Sequence, residues 1–134
     1  MDKKGLTFRF AFSSEIKLMH LIIETIEQIL QRLGIDTEKN WKVILALREI
    51  VTNSVIHGNK SDPLKKVEVT VTIGDKIEFI VKDQGESFDF EALRSIPHDP
   101  LSTNGRGLYL AHQIMDELIY EFKDGNIIKM RKRI

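Results

Sequence analysis

Cysteine is absent from this 134-residue sequence, which excludes disulfide bonds and thiolate metal sites. A surplus of either charge is also absent, because 20 Lys and Arg residues balance 20 Asp and Glu residues. Broad binding of nucleic acid or of an anionic membrane needs a positive surplus, so neither is expected as a direct partner. No apolar run approaches the roughly 20 residues of a membrane span, and no signal peptide follows Met1. The expected location is therefore the cytoplasm.

What remains is the composition of a folded domain, with 42% hydrophobic and 30% charged residues. Because no repeat, low-complexity segment or linker divides the chain, residues 1–134 are expected to form one domain. Periodicity predicts five strands, over residues 6–12, 66–73, 76–82, 118–123 and 126–134. It also predicts three helices, over residues 16–33, 37–56 and 107–117. An irregular segment, residues 83–105, precedes the third helix. Gly74-Asp75 and Asp124-Gly125 are hairpin turn signals. The predicted fold is an α/β two-layer sandwich, with a mixed, mainly antiparallel sheet and its helices on one face.

The first helix is more apolar than a single buried stripe requires. Ser13-Ser14 offers its N-cap, and ten of the 18 residues from Ile16 to Leu33 are Ile, Leu or Met. Either the helix is buried on two sides within the monomer, or its second face meets a partner. Together with the alternating first strand, this makes a homodimer an expectation.

The second helix carries polar residues among apolar ones. Glu49, Asn53 and His57 are spaced four residues apart and are expected on one side of the helix. A carboxylate and an amide in such a helix cost several kcal/mol if they are buried without partners. They therefore need a partner, a cleft or a ligand, unless they form a solvent-facing polar stripe.

Two further segments follow predicted strands or open a helix. Asp83-Gln84-Gly85 comes directly after a strand, which is also the pattern of an ordinary turn. Asn104-Gly105-Arg106-Gly107-Leu108 opens the third helix. Glycines let a backbone approach a ligand closely, and a helix N-terminus presents unpaired N–H groups and a positive dipole end. The second segment is thus a candidate phosphate site, or a loop that only needs glycine dihedrals.

In chain order the three segments read Glu-x-x-x-Asn, Asp-x-Gly and Gly-x-Gly-Leu. This resembles the N, G1 and G2 boxes of the GHKL ATPases, the histidine-kinase-like superfamily of gyrase, Hsp90 chaperones, histidine kinases and MutL proteins. The resemblance covers nearly the whole chain. Within the superfamily, residues 46–58, 105–110 and 115–117 are similar to the anti-sigma factor serine/threonine-protein kinases.

The resemblance implies a magnesium-dependent ATP site. Glu49 would be the general base for the attacking hydroxyl, and Asn53 would ligate Mg²⁺. Asp83 would accept a hydrogen bond from the adenine amino group, and Gly85 would let the base pack closely. Phe90 to Asn104 would form the ATP lid. The residues expected around the phosphates are Gly105, Arg106, Gly107 and Leu108.

The implied activity is that of an ATP-dependent serine/threonine-protein kinase that acts as an anti-sigma factor. Its substrate would be a STAS-domain anti-anti-sigma protein, and a sigma factor would be a second partner. Two positions depart from the family pattern. Ser87 stands where glycine or proline is common, and Gly125-Asn126 stands where relatives often have Gly-Thr near the adenine.

Other members of the superfamily fit less well. A two-component histidine kinase needs a helical hairpin with a phosphoacceptor histidine, and His20 of the first helix has no such box around it. Gyrase and Hsp90 relatives need further domains. A binding module that sequesters a partner without kinase activity would carry the same boxes, but it would not need Glu49. A degenerate domain that binds nothing is the remaining alternative.

Overall fold

The computed structural model describes residues 5–95 and 106–134. The strands are β1, β2, β3, β4 and β5, spanning Leu6–Ser13, Lys66–Ile73, Lys76–Lys82, Glu117–Phe122 and Asn126–Arg133. The helices are α1, α2, α3 and α4, spanning Ile16–Arg32, Trp41–Asn53, Phe90–Ser95 and Arg106–Ile114. A π-helical turn, Ser54–Gly58, continues α2.

The five strands form one sheet in the order β1-β2-β3-β5-β4. Each pairing between the described strands is antiparallel, so the described sheet is antiparallel throughout and contains none of the parallel pairs that a mixed sheet would have. Both hairpins lie where the turn signals predicted them, at Gly74-Asp75 and Asp124-Gly125. The second turn needs a positive φ at Asp124 (54°) and at Gly125 (139°). The predicted fold class is confirmed.

One face of the sheet forms half of the core. Alternate residues of the central strands point to this face and are 0–1% exposed, namely Val67, Val69, Val71, Ile77, Phe79 and Val81. The helices cover this face, and α2 lies against both α1 and α4. Since the helices contribute Leu47, Ile50 and Ala111 at 0% exposure, the core is continuous between the two layers.

Helix α1 buries one stripe and leaves the opposite side open. Met19, Ile23, Ile26 and Leu30 are at most 2% exposed, whereas Leu21 is 57% exposed. The monomer therefore does not bury this helix on two sides. Its predicted N-cap is wrong: Glu15 occupies the cap position without a side-chain hydrogen bond, because the Ser14 hydroxyl donates instead to the Lys65 carbonyl.

Helix α2 begins four residues later than the pattern predicted. The Asp36 carboxylate accepts hydrogen bonds from the backbone N–H groups of Glu38 and Lys39. This local turn competes with the first helical turn, so regular helix starts only at Trp41. At the other end of the chain, α4 stops at Ile114, three residues short of its predicted end, and Glu117 already belongs to β4.

The basic strand β5 lies inside the sheet, between β3 and β4. Two of its cations alternate with the buried residues and pair with carboxylates: Arg131 with Glu78 (2.5 Å) and Glu117 (2.8 Å), and Lys129 with Glu121 (3.5 Å). These carboxylates balance much of the positive charge of β5. No described helix is long and apolar enough to cross a membrane.

Candidate functional site

A cleft of about 430 Å³ opens where α2 and its π-helical turn meet the ends of β3 and β5 and the start of α4. This volume falls within the range of small-ligand pockets. Its lining combines polar groups at one end with apolar side chains such as Phe88, Leu108 and Ile128. The full lining is Asn53, Ser54, His57, Gly58, Lys60, Asp83, Glu86, Ser87, Phe88, Leu108, Asn126 and Ile128. Asn53, Asp83 and Leu108, predicted from three separate segments, thus share one cleft.

The start of α4 packs directly onto Glu49 and Asn53 of α2. Gly107 is buried, and a Cβ added to it would lie 2.9 Å from Asn53 Nδ2 and 3.2 Å from Glu49 Oε2. Any larger residue at position 107 would therefore push these two side chains apart. The close approach brings the predicted base and the predicted metal ligand to the N-terminus of α4, where backbone N–H groups have no helical partner.

The π-helical turn changes where His57 lies. A continuous α-helix would place His57 directly above Glu49 and Asn53, but the chain passes through the wider turn after Asn53. His57 is exposed and lines the cleft with Asn53, while Glu49 is not among the lining residues. Of the three polar residues expected along one side of the helix, only Glu49 and Asn53 lie on regular helix, whereas His57 lies on the π-helical turn and still shares the cleft with Asn53.

The same turn carries Gly58 onto the carboxylate of Asp83. A Cβ on Gly58 would overlap the Asp83 carboxylate, with Oδ2 as the nearest atom. Asp83 is 8% exposed, and its Oδ1 accepts hydrogen bonds from the backbone N–H of Gly85 (2.9 Å) and the side chain of Asn126 (2.9 Å). An Asp held this way presents a fixed acceptor at the polar end of the cleft.

Gly85 lies behind this contact. A Cβ on Gly85 would overlap the carbonyl of Gly58, and Gly85 is not among the residues that line the cleft. The structure therefore gives this glycine a packing role between two motif segments. The family resemblance had implied a different role for Gly85, which was to leave space for a bound base.

A buried polar cluster holds these segments together, and the sequence analysis missed it. Asn59 is 0% exposed; its Nδ2 donates to the Ser14 hydroxyl (2.8 Å) and the Lys66 carbonyl (3.0 Å). Its Oδ1 accepts from the backbone N–H of Gln84 (2.7 Å). The partners Ser14, Lys66 and Gln84 are 45, 7 and 25 residues away from Asn59 in sequence, so no local pattern could have pointed to the cluster.

The phosphate loop is described only from α4 onward. Leu108 is 3% exposed and lines the cleft, and Arg106 begins the helix, with its side chain outside the described part. Gly105 and most of the predicted lid also lie outside the described residues. The first part of the predicted lid forms α3, in which Phe90 is buried.

A metal ion bound here would need oxygen ligands from water and from a bound nucleotide in addition to protein side chains. Within residues 5–95 and 106–134, no three His, Asp or Glu side chains cluster closely enough to hold a metal. Asn53, whose side chain carries one amide oxygen, lines the cleft. That donor set does not suit a metal held by protein alone, but it suits Mg²⁺, which usually keeps waters and phosphate oxygens and takes few protein ligands.

A family model described as the histidine kinase-like ATPase domain matches residues 12–132. Serine-protein kinase RsbW of Bacillus subtilis is 34% identical over 119 residues, covering 81% of this chain and 73% of that protein. Serine-protein kinase RsbW of Bacillus mycoides is 31% identical over 145 aligned positions, covering 100% of this chain and 89% of that protein. These relatives confirm the predicted family and the predicted class of enzyme, a protein serine/threonine kinase.

Among solved structures, the RsbU and RsbW domains of a Mycobacterium tuberculosis protein superpose with a TM-score of 0.70 at 17% identity. The match covers 96% of this chain and 32% of that one, so this chain spans about a third of its length. At this identity the likeness shows the fold. Sequence and structure thus lead to the same conclusion: the chain belongs to the family of histidine kinase-like ATPase domains, as a relative of the serine-protein kinases named RsbW.

Proposed function

We propose that this protein kinase binds Mg-ATP in the cleft and transfers the γ-phosphoryl group to a Ser or Thr of a small STAS-domain anti-anti-sigma protein. In this role it is an anti-sigma factor, and a sigma factor is its second partner. The observation that carries the proposal is the convergence of Glu49 and Asn53 on Gly107, beside a cleft that also contains Asp83. The cytoplasm, where both kinds of partner occur, is the proposed setting.

Adenine is the base that the polar end of the cleft fits. Asp83 supplies only acceptors when ionised, and the amino group of adenine is a donor. The apolar side chains of Phe88, Leu108 and Ile128 offer surface for a flat ring. The N–H groups at the start of α4 and the positive end of its dipole would then bind the phosphates. Arg106 is the first residue of this helix.

A bound Mg²⁺ would supply neutralisation of the charge that develops during phosphoryl transfer. Asn53 is the residue proposed to hold it. The chain's own contribution to the transfer is then mainly alignment and a base. Glu49 takes the proton from the attacking hydroxyl as the new O–P bond forms and the bond from the γ-phosphorus to the bridging oxygen of ADP breaks.

A protein acceptor fits the cleft better than a metabolite does. The residues at its mouth, including His57, Lys60 and Ser87, are exposed, and no described element closes over them. A loop of a partner protein can therefore reach the γ-phosphoryl group from solvent. A small metabolite would need walls that the described part of the chain does not supply.

Mass spectrometry of STAS-domain proteins from the same genome tests this proposal. After incubation with Mg-ATP, one of them should gain a single phosphoryl group on a Ser or Thr. Reactions without the kinase or with EDTA are the matched controls and should leave the acceptor unmodified. Tight binding of a sigma factor, with no phosphorylation of any STAS-domain protein, would contradict the proposal and favour a module that only sequesters its partner.

A further inference from the structure

Asn126, the first residue of β5, is tied to Asp83 through both its backbone and its side chain. It is 2% exposed, and its carbonyl accepts a hydrogen bond from the backbone N–H of Asp83 (3.0 Å). Its side-chain Nδ2 donates to Asp83 Oδ1 (2.9 Å) and to the Glu86 carbonyl (2.9 Å). An amide nitrogen has two protons, so both are used within the protein and none is left for a ligand. Asn126 therefore has no proton left to donate to a ligand, and its side-chain amide can influence a ligand's donor group through Asp83.

Tyr120 of β4 fixes which way this amide points. Its hydroxyl accepts a hydrogen bond from the backbone N–H of Phe88 (3.4 Å) and donates its own proton to Asn126 Oδ1 (2.5 Å). Burial raises the pKa of Tyr120, so the phenol keeps that proton at neutral pH. Because Oδ1 of Asn126 is taken by Tyr120, Nδ2 must face Asp83. The ring of Tyr120 is held in turn by Phe90, stacked at 5.1 Å, and by Phe88 at 4.7 Å.

These hydrogen bonds determine which oxygen of the Asp83 carboxylate is available to a ligand. Its Oδ1 receives three N–H groups, from Gly85 and from the backbone and side chain of Asn126. Its Oδ2 lies beside Gly58, which also lines the cleft, and remains the oxygen with free acceptor capacity. A 6-amino purine presents a donor to such an oxygen, whereas a 6-oxo purine presents an acceptor. Orientation of one carboxylate is thus enough to select between them.

The geometry points to Asn126 and Tyr120 as positioning residues that set the selectivity of the cleft for a 6-amino purine nucleotide. They act by orienting Asp83, because the side-chain protons of both residues are already used in hydrogen bonds within the protein. This inference rests on the proposed function, in which the cleft binds an adenine nucleotide. It assigns a role to Asn126, already noted as a departure from the family pattern, and it adds Tyr120 from the neighbouring strand.

The test compares two nucleotides that differ only at the 6-position. Calorimetry in Mg²⁺ measures the affinity for ADP and for the 5′-diphosphate of purine riboside, in which hydrogen replaces the amino group. The parent should bind ADP more tightly by about tenfold or more, as expected for a hydrogen bond to a charged group. Asn126→Asp keeps the shape but turns an acceptor towards Asp83 Oδ1, and Tyr120→Phe removes only the hydroxyl.

Affinity for ADP should fall by about tenfold or more in Asn126→Asp and by about threefold in Tyr120→Phe. Affinity for the purine riboside nucleotide should change by less than about twofold in both variants, since it makes no bond to Asp83. Ile128→Val is the matched control on the same strand. It lines the cleft without a polar contact and should weaken both nucleotides equally.

An equal loss for the two nucleotides in Tyr120→Phe would overturn the inference, because it would mean that the pair only maintains the shape of the cleft. This variant also decides the case if Asn126→Asp fails to fold. A parent that bound ADP no better than the purine riboside nucleotide would overturn the adenine site of the proposed function itself. The two failures are therefore distinguishable.

Discussion

Glu49 and Asn53 show how far the spacing of two residues predicts their arrangement in the structure. Both lie on a helix whose other side is buried by Leu47, Ile50 and Val51 at 0% exposure. The sequence spacing correctly placed them together, and the structure adds Gly107 as the residue that brings α4 against them. What no spacing could reveal is the set of bonds around Asp83, whose partner Asn126 is 43 residues away in sequence.

Replacement of Glu49 by Gln separates binding from catalysis. The amide keeps the size of the carboxylate, so packing against Gly107 and affinity for Mg-ATP should stay close to those of the parent. Transfer to the STAS-domain protein should fall by about 100-fold or more, the usual scale for removal of a general base. Single-turnover transfer measured beside nucleotide calorimetry checks both halves. A variant that transfers at the parental rate would show that Glu49 is structural.

At the scale of elements, strands were easier to predict than helix ends. Two-residue alternation and two Gly-containing turns located all four β-segments of the two hairpins to within a residue or so. The pairing of β3 with β5 could not be deduced, because hairpin signals establish only which consecutive strands are neighbours. The π-helical turn was also missed, because Gly58 in this turn packs against Asp83, which lies 25 residues further along the chain, and no local pattern reveals such a contact.

The π-helical turn yields a prediction through Gly58. In Gly58→Ala the new methyl group would overlap the Asp83 carboxylate, so either the turn or Asp83 must move. The free energy of unfolding should fall by about 1–3 kcal/mol, as for other overpacked sites, and affinity for ADP should fall with it. Urea denaturation and calorimetry measure the two effects.

Gly34→Ala is the matched control for this experiment. Gly34 has a φ of +83° with nothing near its Cβ position, so alanine there adds backbone strain of about 1 kcal/mol without a clash. That variant should lose stability and keep its affinity for ADP. If Gly58→Ala kept full ADP affinity as well, the contact between the turn and Asp83 would have no part in nucleotide binding.

At the scale of the whole molecule, the described surface leaves room for a second copy of the chain. Strand β1 is an edge of the described sheet, and α1 beside it exposes Ile16 (37%) and Leu21 (57%). These features support the homodimer expected from the sequence, which remains a prediction. The cleft lies elsewhere, between α2, α4 and the ends of β3 and β5, so dimer formation and nucleotide binding should be separable.

Thermal unfolding at varied nucleotide and protein concentrations measures nucleotide binding and dimer formation separately. The cleft combines residues 53 to 128 from several elements, so it exists only in the folded chain and nucleotide stabilises that state by mass action. At 100 times its Kd, Mg-ADP should stabilise the protein by about 2.7 kcal/mol and raise Tm by roughly 8–14 °C. A homodimer should raise Tm with protein concentration even without nucleotide.

Mg-GDP is the control at the same concentration and should have little effect, because its 6-oxo group meets Asp83 as a second acceptor. An equal shift with Mg-GDP would contradict the adenine assignment, whereas a Tm independent of protein concentration would contradict only the dimer.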